Sequence, residues 1–414
     1  MPIRRPKGPK PTLRHLAFLE AMAISDEGSP SYRKLFAGLL TLRLVDEWAT
    51  EGSLVMQPDA TALQATRVAI DGVDADAETR VTLTRIVDAM AMMQDADVQP
   101  VLPRLFAYAS ILENRSSFAL AADVFRAVAK HVDAQAHFDL AYDAWMKQGF
   151  CFRMVANFEM AERGYSQAGL LAGRTRDRGR VLLARIGEAK VTWGRGNLPE
   201  AQEQLEAIAA EADSLGDHRL HAVALHELAA VARLRNEIPT AVRLAHDALR
   251  RMTREDDRER VLTDLGNFLG YAGAFDTARA ALGLIAERAR TQELRWNAQV
   301  NLMDLAVREG SETRFEQLRR SIEQLPLSGR MAADFFRDAA RGLARFGRMT
   351  EARAALARSR DIAERAGLHQ VTFELDALER RLDQETSLQP ITPTAAPADV
   401  AETVEAMVRA GALA

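Results

Sequence analysis

Gly196-Asn-Leu-Pro-Glu-Ala201 and Asn236-Glu-Ile-Pro-Thr-Ala241 stand forty residues apart and read alike, and that likeness decides the fold. Each begins with a residue suited to breaking a helix, follows with an apolar residue, and ends on alanine. Working outward, the pattern recurs at Ser117-Phe-Ala-Leu-Ala121, Phe158-Glu-Met-Ala161, Gly273-Ala-Phe-Asp-Thr-Ala278, Gly310-Ser-Glu-Thr-Arg-Phe315 and Gly347-Arg-Met-Thr-Glu-Ala352. The closing residues fall at 121, 161, 201, 241, 278, 315 and 352, in steps of 40, 40, 40, 37, 37 and 37. Self-similarity at such a period is the signature of a repeat architecture.

The residues explain one unit. In most units Gly or Asn ends a first helix, A, and an apolar residue (Phe118, Leu198, Ile238, Phe275, Met349) covers the turn. Helix B then begins with an alanine, which suits the point where two helices approach most closely. Three or four residues on, Phe125, Tyr165, Leu205, Leu244, Leu282 and Leu356 fall on the same face of helix B. Each pair thus exposes an apolar face that only a neighbouring pair can bury, which forces stacking. The chain lacks the sustained period-two alternation of a sheet protein, so the fold class is all-α.

The second unit carries Trp145, Gly149, Phe152, Ala161, Tyr165 and Ala168, and the fifth carries Leu265-Gly266, Leu269, Ala278 and Leu282. In these positions the chain resembles the tetratricopeptide repeat family, over roughly 102–365. The resemblance implies a right-handed superhelical solenoid of about seven helix pairs with an N-terminal helical region. Two departures stand out. The period exceeds the family's usual length of about 34, as in the longer-helix variants of bacterial regulatory sensors. The sixth unit also has Phe315 in place of the helix B alanine and Arg319 at the large apolar site, so its packing should differ.

The rest of the chain divides around this array. Residues 1–11, with Arg4, Arg5, Lys7 and Lys10 among prolines, read as a basic arm. Residues 12–101 form an N-terminal helical region, either separate or made of degenerate repeats. In it Tyr32, Leu35, Leu39, Leu42, Val45 and Trp48 keep helical spacing, and further helices are expected over 60–70 and 76–94. The array occupies 102–385, its last helix a solvent-facing cap with Glu379, Arg380 and Arg381. A Pro-rich linker covers 386–398. Over 399–414 a short amphipathic helix with Val400, Val404 and Met407 begins at a capping-box-like Asp399 and Glu402. Docking in the array's groove, on another subunit or on its own domain, or fraying, all remain open for that tail.

Composition narrows the function classes. A chain of 414 residues with net charge -4 lacks the basic balance of a generic polyanion binder, so nucleic acid is disfavoured as a partner. One cysteine, Cys151, excludes an internal disulfide framework and a multi-cysteine metal site. No apolar run reaches the roughly 18–20 residues that span a bilayer, and the start lacks a secretory core. A cytoplasmic location is expected, with no membrane partner. Cys151 lies beside an apolar face and reads as a structural thiol. His221 and His226 are five apart, which turns them away from each other on a helix, and with His218 and Glu227 they match no zinc motif. Gly194-Arg-Gly196 ends a helix and lacks the Lys-Ser/Thr of a phosphate loop. The chain reads as a non-enzyme with no cofactor and no metal.

Recognition is the better supported role. In the family it resembles, the A helices line a concave groove at fixed offsets. Carried onto this sequence, those offsets give Phe106, Met146 and Phe150, then Lys190 and Trp193, then Arg233. They continue with Asn267 and Tyr271, Asn297, Asn301 and Arg308, and Arg337 and Arg341. Met and Phe can repack around varied apolar anchors. Asparagine offers both a donor and an acceptor to an extended backbone. The arginines suit a carboxylate, unless Asp334 and Asp338 on their own helix already hold them. The expected function is therefore a non-enzymatic protein- or peptide-binding module in bacterial regulation, capturing an extended segment in its groove. The alternative is a structural scaffold or oligomerisation factor using the convex face, the N-terminal helices or the tail. Homo-oligomers would then form through the N-terminal helices or the tail.

Overall fold

The computed structural model describes residues 15–51, 59–74, 76–93, 97–327, 329–383 and 391–411. The basic arm at 1–11 and the first part of the Pro-rich linker, 386–390, lie outside the described residues. Among those described there are only helices and their connections. Four helices come first: α1 (Leu16–Ala23), α2 (Pro30–Glu51), α3 (Ala60–Asp71) and α4 (Ala77–Ala91). Seven pairs follow: α5 (Leu102–Asn114) with α6 (Phe118–His131), α7 (Phe138–Met154) with α8 (Phe158–Arg174), and α9 (Arg178–Gly194) with α10 (Leu198–Ser214). Next are α11 (His218–Leu234) with α12 (Ile238–Arg251), and α13 (Glu255–Ala272) with α14 (Phe275–Arg288). The last pairs are α15 (Gln292–Glu309) with α16 (Glu312–Glu323), and α17 (Gly329–Arg345) with α18 (Met349–Arg365). Then come α19 (His369–Asp383) and α20 (Ala398–Ala410). The chain forms two compact units, 1–151 and 152–414.

The repeat is written in both burial and backbone. Ala121, Ala161, Ala201, Ala241, Ala278, Phe315 and Ala352 are each fully buried. Five residues before each of them the backbone turns left-handed, at Ser116, Ala156, Gly196, Asn236, Gly273, Gly310 and Gly347. That residue closes helix A so that helix B can fold back, a conformation that favours Gly or Asn. Between 157 and 217 the geometry repeats every 20 residues. Asn157, Asp177, Asn197 and Asp217 each accept the backbone N–H three residues on, at 3.2, 3.0, 3.4 and 2.9 Å, a side-chain cap for an otherwise orphaned donor. The helices from α7 to α11 are 17 residues long, close to 25 Å each at about 1.5 Å per residue. The first two 37-residue steps cross α12 and α14, of 14 residues each, which end in extended residues, Met252 and Ala289, and the third crosses α16, of 12.

The sixth pair solves its irregular sequence by exchange. Phe315 fills the space that Gly342 of α17 leaves open: a Cβ there would lie 2.3 Å from the ring. Phe346 closes the other side, with ring centroids 5.4 Å apart. Arg319 stays half-buried and is neutralised by Glu316 at 2.8 Å and Glu323 at 3.1 Å.

In the first unit, α1 is tied down by a buried charge network. Asp46 of α2 bonds His15 Nε2 at 2.9 Å and His131 Nε2, at the end of α6, at 2.7 Å. Asp123 of α6 stands 3.6 Å from His15 Nδ1. Cys151 is fully buried.

The tail lies on its own chain, against B helices. Val400, Val404 and Met407 of α20 join the apolar cluster built by α12, α13 and α14, with Ile391 and Ala396 beside them. His246 of α12 bonds the Thr403 hydroxyl at 2.9 Å. Ahead of the helix, Thr394 N donates to Gly273 O at 3.0 Å and its hydroxyl to Ala272 O at 2.7 Å. Gly273 is required twice, by φ of +85° and because a Cβ would meet Thr392 O at 2.4 Å. The expected capping box is absent: Pro397 holds the N-cap position of α20 without a side-chain cap. Among the described residues no helix is long and apolar enough to cross a membrane. Val404→Asp would bury an unpaired charge and is expected to detach α20. Amide exchange over 398–410 should then rise to that of a free peptide, while α7 to α11 keep their protection.

Candidate functional site

In the second unit the A helices share one lined cavity. Residues of α11, α13, α15, α17 and α19 enclose about 540 Å³, within the range of ligand pockets. Arg233, Asn267, Tyr271, Asn301, Arg337 and Arg341 all line it. The curvature of this unit also brings Arg330 Nη1 of α17 to 3.9 Å from Met154 Sδ, at the end of α7.

Most of the charged lining groups are held by neighbours on the same helix or one repeat away. Tyr271 lies between two guanidiniums, with Arg308 3.6 Å and Arg233 5.5 Å from the ring centre, a cation–π stack that fixes the ring. Arg308 in turn bonds Asp304 at 2.6 Å, and Asp304 also takes Arg341. Arg337 reaches Asp334 at 2.7 Å, Asp338 at 3.1 Å and Glu374 of α19 at 2.5 Å. Burial opposes the charge on Asp304, yet the Arg341 and Arg308 guanidiniums outweigh it and hold its carboxyl below the usual range. Burial likewise opposes the charge on Arg341, and Asp304 and Asp338 more than restore it. The arginine row read from the sequence is therefore not open. It is already neutralised, by Asp334 and Asp338 on its own helix and by Asp304 and Glu374 on the helices either side.

The amides differ from the charges. Asn301 Nδ2 donates to Asn297 Oδ1 at 2.8 Å, which leaves the Asn301 carbonyl available. Asn267 is half-buried in the lining and has no hydrogen-bond partner among the described residues. A half-buried amide without a partner is suited to a ligand's backbone.

The other sequence candidates lie elsewhere. Lys190 bonds Glu227 at 2.6 Å with Trp193 5.8 Å away, next along the A helices but outside the cavity lining. Asn297 is exposed and Arg308 stands behind Tyr271. Phe106, Met146 and Phe150 belong to the first unit. There Phe106 sets its edge on Phe125 at 5.0 Å, Phe150 meets Phe118 at 5.9 Å, and Lys147 bonds Glu113 at 2.7 Å. All three are half-buried.

Sequence reasoning missed α19. Glu379, Arg380 and Arg381, the residues named for a solvent-facing cap, are exposed, but the helix also brings Phe373, Glu374, Ala377 and Arg381 into the cavity lining. The signal was present: at the 37-residue step of this end, Arg337 is followed by Glu374 and Arg341 by Leu378, and both line the cavity. Asp264 was missed too. It holds His226 at 2.7 Å; burial alone would lower the imidazole's pKa, but the Asp264 carboxylate raises it above the ordinary value.

Among the described residues the lining holds no Ser, Thr, Cys, Lys or His, and its carboxylates are engaged in ion pairs.

No family model and no curated protein matches the sequence. Solved structures do match. The Rap conjugation gene regulator of the plasmid pLS20, in complex with the Phr* peptide, is similar with a TM-score of 0.52 at 11% identity, over 86% of this chain and 98% of that one. NprR in complex with its cognate peptide NprX is similar with a TM-score of 0.50 at 12% identity, over 83% of this chain and 89% of that one. At these identities the likeness shows the fold, an all-helical stack of tetratricopeptide-like pairs.

Proposed function

We propose that this chain is a non-enzymatic peptide-binding regulator of the cytoplasm, which captures an extended peptide in the cavity of its second unit. The observation that carries this reading is the half-exposed amide of Asn267, whose side chain has no partner among the described residues, beside the stacked Tyr271 in a lining whose carboxylates are all paired. A peptide backbone needs donors and acceptors in register, and Asn267 with the Asn301 carbonyl offers both. Both solved structures named above hold a peptide, which supports the same use of the shared fold. The scaffold alternative loses one of its surfaces, because α20 is seated on its own α12 and α14.

Affinity selection from a random heptapeptide library tests the reading. Wild type should enrich peptides over a bead control, and Asn267→Ala with Asn301→Ala should lower their affinity at least about tenfold, the worth of one or two hydrogen bonds left unmade, with unchanged circular dichroism. No enrichment, or equal retention by the variant, would remove the cavity from recognition.

A further inference from the structure

Charge bookkeeping in the cavity gives the ligand a sign. Five carboxylates line it, and each already has a guanidinium or imidazole partner. Asp264 has His226 at 2.7 Å, Asp304 has Arg308 at 2.6 Å and Arg341, and Asp334 has Arg337 at 2.7 Å and Arg330 at 3.4 Å. Asp338 has Arg337 at 3.1 Å and Arg341 at 3.3 Å, and Glu374 has Arg337 at 2.5 Å. On the other side of the account, two lining guanidiniums have no carboxylate partner among the described residues. Arg233 touches only the Tyr271 face, and Arg381 is exposed at the far wall on α19. In the same lining Phe373 is 68% exposed, an apolar surface open to a ligand.

We propose that the cavity selects acidic peptides, taking ligand carboxylates on Arg233 and Arg381 and an apolar side chain against Phe373. This rests on the peptide-binding reading above. A basic ligand would have to share a carboxylate that already bonds a guanidinium or an imidazole, which weakens what it gains. An acidic ligand meets two guanidiniums whose donors are uncommitted and whose planar fork matches a carboxylate.

Three pools of fluorescein-labelled hexapeptides test this, random at four positions and fixed at the central two as Glu, Gln or Lys, titrated by fluorescence anisotropy. The Glu pool should bind about tenfold or more tighter than the Lys pool, as expected for a charge-assisted hydrogen bond gained, and less so at higher salt. Arg233→Gln with Arg381→Gln should bring the Glu pool down to the Gln pool. Arg381→Gln alone, which disturbs no stack, should lose part of the preference. Equal binding of the Glu and Gln pools would overturn the charge assignment and leave peptide binding standing. Tighter binding of the Lys pool would overturn it as well, and failure of all three pools would take both readings down together.

Discussion

Replacing Phe315 by alanine is expected to destabilise the second unit by about 3–5 kcal/mol, the range for emptying a buried phenylalanine site. The ring is fully buried and nearly touches the Gly342 Cα side, so neither α17 nor Phe346 can collapse into the space without moving a helix. Urea unfolding followed by circular dichroism gives the number. The site makes a sharper statement through its partner. Gly342→Ala puts a methyl group 2.3 Å from the Phe315 ring and should cost about 1–3 kcal/mol by overpacking. In the Phe315→Ala background the same change should cost less, because only Val307, 2.7 Å from the added methyl group, is left to yield. A coupling of that sign identifies the exchanged pair; additive effects would show that Phe315 and Gly342 do not share one packing site.

The second large effect belongs to the first unit. Asp46→Ala leaves His15 and His131 facing an empty buried site, and about 3–5 kcal/mol should be lost, as when one partner of a buried ion pair is removed. Its pH dependence has a definite sign. Burial disfavours the charge on His15, but Asp123 and Asp46 outweigh it and raise its pKa above 6.5. The stability it contributes is complete below 6.5 and is lost as pH rises through the raised value. Burial also disfavours the Asp46 charge, but the hydrogen bonds from His131 and His15 outweigh it and hold its carboxyl below 3.8. That contribution is present above 3.8 and is lost as pH falls through the lowered value. Thermal melts of wild type should therefore weaken from pH 6 to 9, and Asp46→Ala should flatten that slope. A wild-type profile flat from pH 6 to 9 would show that the latch carries no folding energy.

The repeat was legible because its physics is local. A small residue at 121, 161, 201, 241, 278 and 352 is what close helix contact requires, and the left-handed turn five residues earlier is announced where glycine supplies it, at 196, 273, 310 and 347. At Ser116, Ala156 and Asn236 the same turn is made without glycine, so only the period reveals it. The charges of the site were not legible by the same reasoning, since partners were sought on the same helix. Arg341 with Asp304, Arg337 with Glu374 and Lys190 with Glu227 are all 37 apart. The first two follow the 37-residue step of that part of the array, and searching at that offset would have found them; Lys190 with Glu227 falls three short of the 40-residue step there. The tail's apolar stripe, Val400, Val404 and Met407, was readable as a stripe. Its seat was not, because the outer faces of α12 and α14 look in sequence like any other part of the core.

The seat of α20 also sets an order of events during synthesis. The surface it covers is complete once α14 has formed, at Arg288, but its cover begins at Ala398. At roughly 5–20 residues per second, the intervening chain of about 110 residues takes on the order of 5–20 s to make. Throughout that interval the nascent chain carries an open apolar strip, although the units around it can already be folded. The growing polypeptide therefore passes through a stage that is native in its helices and unfinished on one flank, and holding chaperones would meet it there.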